Sequence, residues 1–316
     1  MTQPGRRPGF LLPLLVPLLL ACRCVRGQDE AVGNWTPVVM MHGINGAASD
    51  YDAIVAGLRK VHPGQRLHVI RLYEKLSSFE PLWNQVPRIA DDIRNATAAF
   101  GGRYHLLCHS QGGIVCRALA ETMEDHRIDH FVSMAGVQQG IRGIPDEVRK
   151  YLPSWLDNFA DDNVWRAFYT PLGQDISFAN YWRDPAQQTA YQQHDAFLPV
   201  VDNDPRAARA PPAGAGDAAS RKRNFLRLGE MHLFASPDDG VVYPWDSPLF
   251  STVSSDNSNK THVPMCEQPL YRDDWFGLRT LDERGGLHAT VEPGVVHTGW
   301  LTRLDLFQRY LEPILR

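Results

Sequence analysis

The run Tyr104-His105-Leu106-Leu107-Cys108-His109-Ser110-Gln111-Gly112-Gly113 decides how this chain is read. An apolar strand leads into a serine, two glycines follow, and residues 114–123 continue as a helix-like stretch. Strand, sharp turn and helix in that order make a nucleophile elbow. The serine oxygen then stands clear of its own backbone, and small neighbours avoid a clash. The start of the following helix favours developing negative charge. The elbow pattern is G-x-S-x-G, and Cys108 takes the place of the first glycine. Cysteine is small enough for such a turn. The bland alternative is an ordinary strand-turn-helix corner.

Working outward, residues 37–41 read as a short strand that ends at His42-Gly43-Ile44-Asn45-Gly46. Residues 49–61 read as a helix and residues 67–73 as a second strand. Trp83, Val86, Ile89, Ala90 and Ile93 recur at helical spacing, so residues 82–100 are expected to form a helix with one buried face. Residues 131–135 and 231–235 read as further strands. From residue 298 onward, Trp300, Leu301, Leu304, Phe307 and Leu311 fall on one face of a final helix. This alternation predicts the α/β class: a mostly parallel sheet with helices on both faces.

Residues 140–223 break the alternation. They are rich in Trp, Tyr, Phe and Pro, and are expected to form an inserted lid over the carboxyl edge of the sheet. The Ala/Pro/Gly-rich part, 202–220, is expected to be a mobile loop. The aromatics Trp155, Phe159, Trp165 and Phe168 read first as packing of this insertion and second as a wall for an apolar substrate.

The chain has 316 residues, 43% of them hydrophobic, which is enough for one large core. A net charge of −4 argues against a nucleic-acid partner, and the short run Arg221-Lys222-Arg223 reads as a solvated loop. The N-terminus reads as a secretory signal, residues 1–27. Arg6 and Arg7 supply its positive start, and the apolar run 10–21 is too short to span a bilayer. No later segment is apolar enough to cross a membrane, so residues 28–316 are expected to form a single lumenal or secreted domain. Of five cysteines, Cys22 and Cys24 leave with the signal, while Cys108, Cys116 and Cys266 remain. An oxidising compartment permits a disulfide and leaves one thiol odd. Asn34, Asn95 and Asn259 head N-x-S/T sequons.

A serine nucleophile needs a base, and the base needs a group to orient it. On this kind of sheet the order is Ser, then Asp or Glu, then His. The strand at 231–235 empties into Ser236-Pro237-Asp238-Asp239-Gly240, the right place for the acid. Gly294-Val295-Val296-His297-Thr298-Gly299 puts His297 between a glycine turn and the last helix, the right place for the base. His42 precedes the serine, and His105 lies inside a strand. His126 and His130 are spaced i, i+4 and read as surface residues rather than a metal site. The two oxyanion donors are expected from the Gln111 N–H and from the His42–Gly46 loop. No cofactor or metal is expected.

Taken together, MMHGINGAA, CHSQGGIVCRAL, YWRDP, SPDDGVVYPW, FGLRTL and GVVHTGW resemble the palmitoyl-protein thioesterase family, over about residues 37–313. CHSQGG-VCRAL, NFLRLG and PDDGV-PW are closer to its second, lysosomal branch, whereas QQGIRGIP looks more like the first. The resemblance implies an α/β-hydrolase that cleaves fatty acyl thioesters. It also implies Ser110 as nucleophile, Asp239 rather than Asp238 as acid, His297 as base, and Ile44 and Gln111 at the oxyanion positions. Cys108 and Cys116 match a disulfide of the family. Phe168 and Ala179 stand where another of its cysteine pairs would be. The implied partners are an acyl-CoA or S-acylated small thiol as substrate and a sorting receptor acting through N-glycans. The implied compartment is the lysosome, with secretion beside it. The rival readings are an oxygen-ester hydrolase on the same triad and a secreted binding module that has kept the fold without activity.

Overall fold

Eight strands can be traced in the computed structural model, which describes residues 1, 2, 5, 34–152, 154, 163–255 and 261–316. Of the segment 1–27 all but residues 1, 2 and 5, together with Trp155, Phe159 and Asn259, lie outside the described residues. The strands are β1 (Val38–Met41), β2 (Leu67–Val69), β3 (Tyr104–His109), β4 (Ile128–Met134), β5 (Glu230–Ala235), β6 (Thr252–Val253), β7 (His262–Val263) and β8 (Leu287–Val291). Six of them form one sheet in the order β2-β1-β3-β4-β5-β8, and each neighbouring pair is parallel. β6 and β7 make a separate antiparallel pair. Three helices lie between the early strands: α1 (Asp52–Val61), α2 (Leu82–Thr97) and α3 (Gln111–Thr122).

The central strands are apolar because both faces of the sheet are covered. β1 and β3 are buried throughout. Alternation along β3 sends Leu106 and Cys108 into a core built with Val86, Ile89 and Ile93 of α2 and Ile114, Val115 and Leu119 of α3. Leu107 points the other way, into a second core with Ile54 and Leu58 of α1 and with Trp300, Phe307 and Leu311. Burying one such leucine stabilises the fold by about 1.5–3 kcal/mol.

Chain order reverses at β1: β2 lies on one side of it and β3, β4, β5 and β8 on the other. Such a switch point opens a crevice outside the carboxyl ends of the strands. Met41 is in register with Cys108, so the loop after β1 and the elbow after β3 emerge side by side.

Several sequence expectations need correction. The second strand stops at Val69, because Tyr73 and Lys75 adopt left-handed backbone (φ 58° and 54°) and the chain turns into the short helix Lys75–Phe79. β8 was not anticipated. Its five residues, LHATV, are half-buried or exposed at the sheet edge, so they carry no apolar run. The final helix is broken into Gly299–Thr302, Leu304–Leu306, a π-helical turn Phe307–Leu311 and Glu312–Ile314. Arg303 between the first two pieces is extended, which shifts the helical phase and leaves Leu304 59% exposed. The basic run is not a solvated loop. It lies in the helix Ala218–Phe225, where Arg221 is buried and donates to Gly216 O and Asn203 Oδ1, and Lys222 pairs with Asp274 at 2.8 Å.

The described residues of 140–223 include short helical pieces, among them Trp165–Phe168, Pro171–Gln174, Gln188–His194 and Leu198–Val201. Phe168 is core, edge-on to Trp182 and near Phe178, and Ala179 is buried in the same core. The 202–220 loop is tied down at its start: Asp202 takes a hydrogen bond from Arg117 at 2.8 Å, and Asn203 donates to Trp275 O.

Candidate active site

Ser110 sits at φ 55°, ψ −127°, a backbone conformation of the kind that costs about 1–3 kcal/mol for a residue with a side chain. Its neighbours hold it there. Ser110 N–H donates to Met134 O at the end of β4, and Ser110 O accepts from Gly113 N–H in the first turn of α3. Gly112 is required by close approach. A Cβ on it would lie 2.5 Å from His42 O and 2.7 Å from Met41 O. Gly43 is the matching glycine across the crevice, where a Cβ would meet Ser110 Cβ at 2.8 Å. Cys108 and Cys116 are joined in a disulfide, with Cα atoms 6.6 Å apart, so the strand before the elbow is tied to the helix after it. Cys266 is free and exposed.

His297 reaches the same place from the other end of the chain. Its Nδ1–H donates to Asp239, with Oδ2 at 2.9 Å and Oδ1 at 3.0 Å. That leaves Nε2 for the cavity that His297 and Ser110 both line. Asp239 is itself held in place. Asp239 Oδ1 accepts from the N–H groups of Val242 at 2.7 Å and Val241 at 3.0 Å, and Asp239 O accepts from His297 N–H. Burial works to raise the Asp239 pKa. The His297 hydrogen bond and charge and these two N–H groups outweigh it, and the carboxyl is held below its ordinary value. Asp238 is exposed and turned elsewhere, accepting from Gly294 N–H at 2.7 Å. The geometry therefore brings Asp239, not Asp238, to the imidazole.

Ile44 lies in the loop after β1 and Gln111 directly after Ser110. Among the described residues, neither backbone N–H is taken by a loop or turn hydrogen bond. The residue that ties these two segments together is Ser78, which sequence reading missed. Its Oγ accepts from Asn45 N–H at 2.7 Å, beside Ile44. Its carbonyl accepts from Gln111 Nε2 at 2.9 Å and from Ser177 Oγ at 2.9 Å. Ser177 Oγ also lies 2.8 Å from Gln111 Oε1, which carries the network into the insertion. Ser78 belongs to a short helix with no distinctive pattern, so nothing in the sequence points to it. His109 is a second such residue. Its Nε2–H donates to His297 O at 2.9 Å, and burial, then the neighbouring His297, pushes its pKa down to about 3.

The shared cavity holds about 390 Å³, with Gly43, Ile44, Asn45, Ser110, Val241, His297 and Leu301 in its wall. Asn34 and Asn95 are exposed. His126 is not a surface residue. It is buried, its Nε2–H donates to Asn224 O, and it does not pair with His130. Among the described residues no helix is long and apolar enough to cross a membrane.

Sheet order, elbow and crevice define an α/β-hydrolase. The family model described as palmitoyl protein thioesterase matches residues 37–297. Lysosomal thioesterase PPT2-B of Xenopus laevis is 34% identical over 305 residues, covering 96% of this chain and 98% of that protein. Lysosomal thioesterase PPT2 of Homo sapiens is 33% identical over 306 residues, covering 97% and 95%. A Bacillus licheniformis lipase, BlEst2, is a remoter structural likeness: TM-score 0.47 and 16% identity, with 90% of this chain and 93% of that one covered. The chain belongs to the palmitoyl protein thioesterase family and is a hydrolase of thioesterase type.

Proposed function

We propose that this protein is a lysosomal serine thioesterase that hydrolyses fatty acyl thioesters, such as acyl-CoA or S-acylated small thiols, with Ser110, His297 and Asp239 as its triad. One observation carries the reading: an Asp239-bound His297 and a strained Ser110 line the same cavity. His297 Nε2 takes the Ser110 proton as Oγ attacks the thioester carbonyl. The Ile44 and Gln111 N–H groups stabilise the oxyanion. The C–S bond breaks, the thiol leaves with the proton from His297, and water then cleaves the acyl-enzyme by the same route. Asp239 fixes the imidazole and offsets its charge when protonated. Ile44, Val241 and Leu301 supply apolar wall for an acyl chain.

The same reading takes residues 1–27 as a signal peptide and 28–316 as one domain with a lid at about 140–223. It takes the sequons at Asn34, Asn95 and Asn259 as glycan sites through which a sorting receptor delivers the protein to the lysosome, with a share secreted. The test is kcat/KM for palmitoyl-CoA and for a matched oxygen ester, with fluorophosphonate labelling of wild type and Ser110→Ala. The expected result is labelling that depends on Ser110 and a preference for the thioester. Preference for the oxygen ester would make it an esterase. Absence of labelling would make it a binding module.

A further inference from the structure

At the end of the sheet opposite Ser110, four strand side chains from three adjacent strands converge. They are His130 of β4, Glu230 and His232 of β5, and His288 of β8. Register brings them together: His130 is opposite Glu230, and His232 is opposite His288. His232 Nε2 lies 3.0 Å, His288 Nε2 3.2 Å and His130 Nε2 3.8 Å from the same oxygen, Glu230 Oε2. The ligand atoms of His130, Glu230 and His232 all lie within 4.8 Å of one another. A tetrahedral ion with bonds of about 2.1 Å holds its ligand atoms about 3.4 Å apart. The three imidazole-to-carboxylate distances, 3.0–3.8 Å, bracket that value.

The tautomer of His130 adds a second, independent observation. Its Nδ1 lies 3.0 Å from Ile314 O, and a carbonyl only accepts, so the proton is on Nδ1. In the neutral ring the lone pair is then on Nε2, facing a carboxylate oxygen. That arrangement suits a cation between the two atoms, either a bound metal ion or a second proton on the ring. A metal-bound histidine usually donates its other N–H to a carbonyl or carboxylate in this way. His105 packs on His130, with ring centres 4.6 Å apart, and its Nε2 reaches Arg316 O, so the C-terminal residues brace the ligand from behind. Half-exposed Glu230 and exposed His288 leave a way in from solvent.

We propose that His130, Glu230 and His232 form a structural binding site for a divalent ion of the Zn2+ class, with His288 hydrogen-bonded beside it on Glu230. Two imidazoles and one carboxylate, with a fourth position open to water, suit zinc and its borderline neighbours, whereas Mg2+ and Ca2+ require oxygen donors. A bound ion would fasten β5 to β4 and, through His130, to the C-terminal segment. Its place far from the elbow makes it a staple rather than part of the chemistry.

The experiment uses the full chain, free of any histidine tag and stripped of metal, titrated with Zn2+ against a chromogenic chelator. One equivalent should bind, and Zn2+ should raise the melting temperature. His232→Ala and Glu230→Gln should each weaken binding at least tenfold and abolish the melting shift, whereas His68→Ala, at a pair elsewhere on the chain, should change neither. Co2+ in place of Zn2+ should give the visible absorption of a tetrahedral centre. Should His232→Ala fail to fold, Glu230→Gln, which keeps the shape of a partly exposed side chain, decides the matter. Failure of wild type to retain Zn2+ at micromolar concentration, or equal binding by Glu230→Gln, would mean that the cluster is held by hydrogen bonds alone.

Discussion

Replacing Glu121 by Gln should change how the stability of this protein depends on pH. Glu121 lies one helical turn beyond Arg117 on α3, and both side chains are fully buried. Arg117 is already matched by Asp202, at 2.8 Å, and its guanidinium packs against the rings of Phe276 and Phe250. Glu121 is 3.9 Å from Arg117 Nη1, and neither carboxyl oxygen has a hydrogen-bond partner among the described residues. Burial pushes its pKa up to about 8, against the pull of Arg117 and Arg221. The folded chain therefore keeps a proton that the unfolded chain loses near the ordinary value of 4.5. With the folded pKa raised, the contribution is complete below about pH 4.5 and is lost as pH rises through 8. Between about pH 5 and pH 8 the loss is on the order of a few kcal/mol, since each pKa unit is worth about 1.4 kcal/mol. Total stabilities run at about 5–15 kcal/mol, so the effect is large. Gln keeps the shape and cannot ionise. Urea unfolding of wild type and Glu121→Gln at several pH values isolates the group, since all other titrating residues are common to both. The variant should gain a few kcal/mol (on the order of 1.4 per pKa unit) relative to wild type between pH 5 and pH 8. A difference that does not change with pH would refute a neutral Glu121 in the fold.

The remaining expectations concern the acid limb, the triad, the oxyanion loop and the disulfide. Burial lowers the His126 pKa to about 4, so its contribution is complete above about pH 6.5 and fades as pH falls towards 4; His126→Gln should flatten the fall of unfolding free energy in that window. Ser110→Ala and His297→Ala should each lower kcat by several orders of magnitude, with the double variant little worse than either in the same thioesterase assay, and Asp239→Asn should be severe where Asp238→Asn is mild. Ser78→Ala frees Asn45 N–H and should lower kcat about tenfold with KM little changed, at about 1–2 kcal/mol of stability measured by denaturant; a loss confined to stability would make Ser78 a structural residue only. Peptide mapping without reduction should recover Cys108 linked to Cys116 and Cys266 as a free thiol.

The elbow, the succession of strands along the chain up to β5 and the chain order of Ser110, Asp239 and His297 were legible because each is a local pattern. An apolar strand followed by S-Q-G-G describes its own turn, and alternating periods of apolar residues describe a parallel sheet. The resemblance to a family added the choice of Asp239 over Asp238, which adjacent aspartates in one loop could not supply. Only tertiary structure decided the rest, and the reason is the same each time. β8 is an edge strand of ordinary polar residues, and its existence depends on β5 offering a free ladder. Leu304 fits an apolar stripe, yet the break at Arg303 turns it outward. Arg221 looks solvated until the helix Ala218–Phe225 carries it into a buried network. Ser78 holds the loop after β1 through its hydroxyl and the Gln111 side chain through its carbonyl, groups that every serine has. The four residues of the His/Glu cluster are scattered from 130 to 288 and become neighbours only through strand register. Sequence reading weighed His130 against His126, four residues away, because spacing along the chain was all it had. In the folded sheet, two residues opposite each other on adjacent strands are about 5 Å apart whatever their separation in sequence. That distance, set by backbone hydrogen bonds, is what the chain alone does not state.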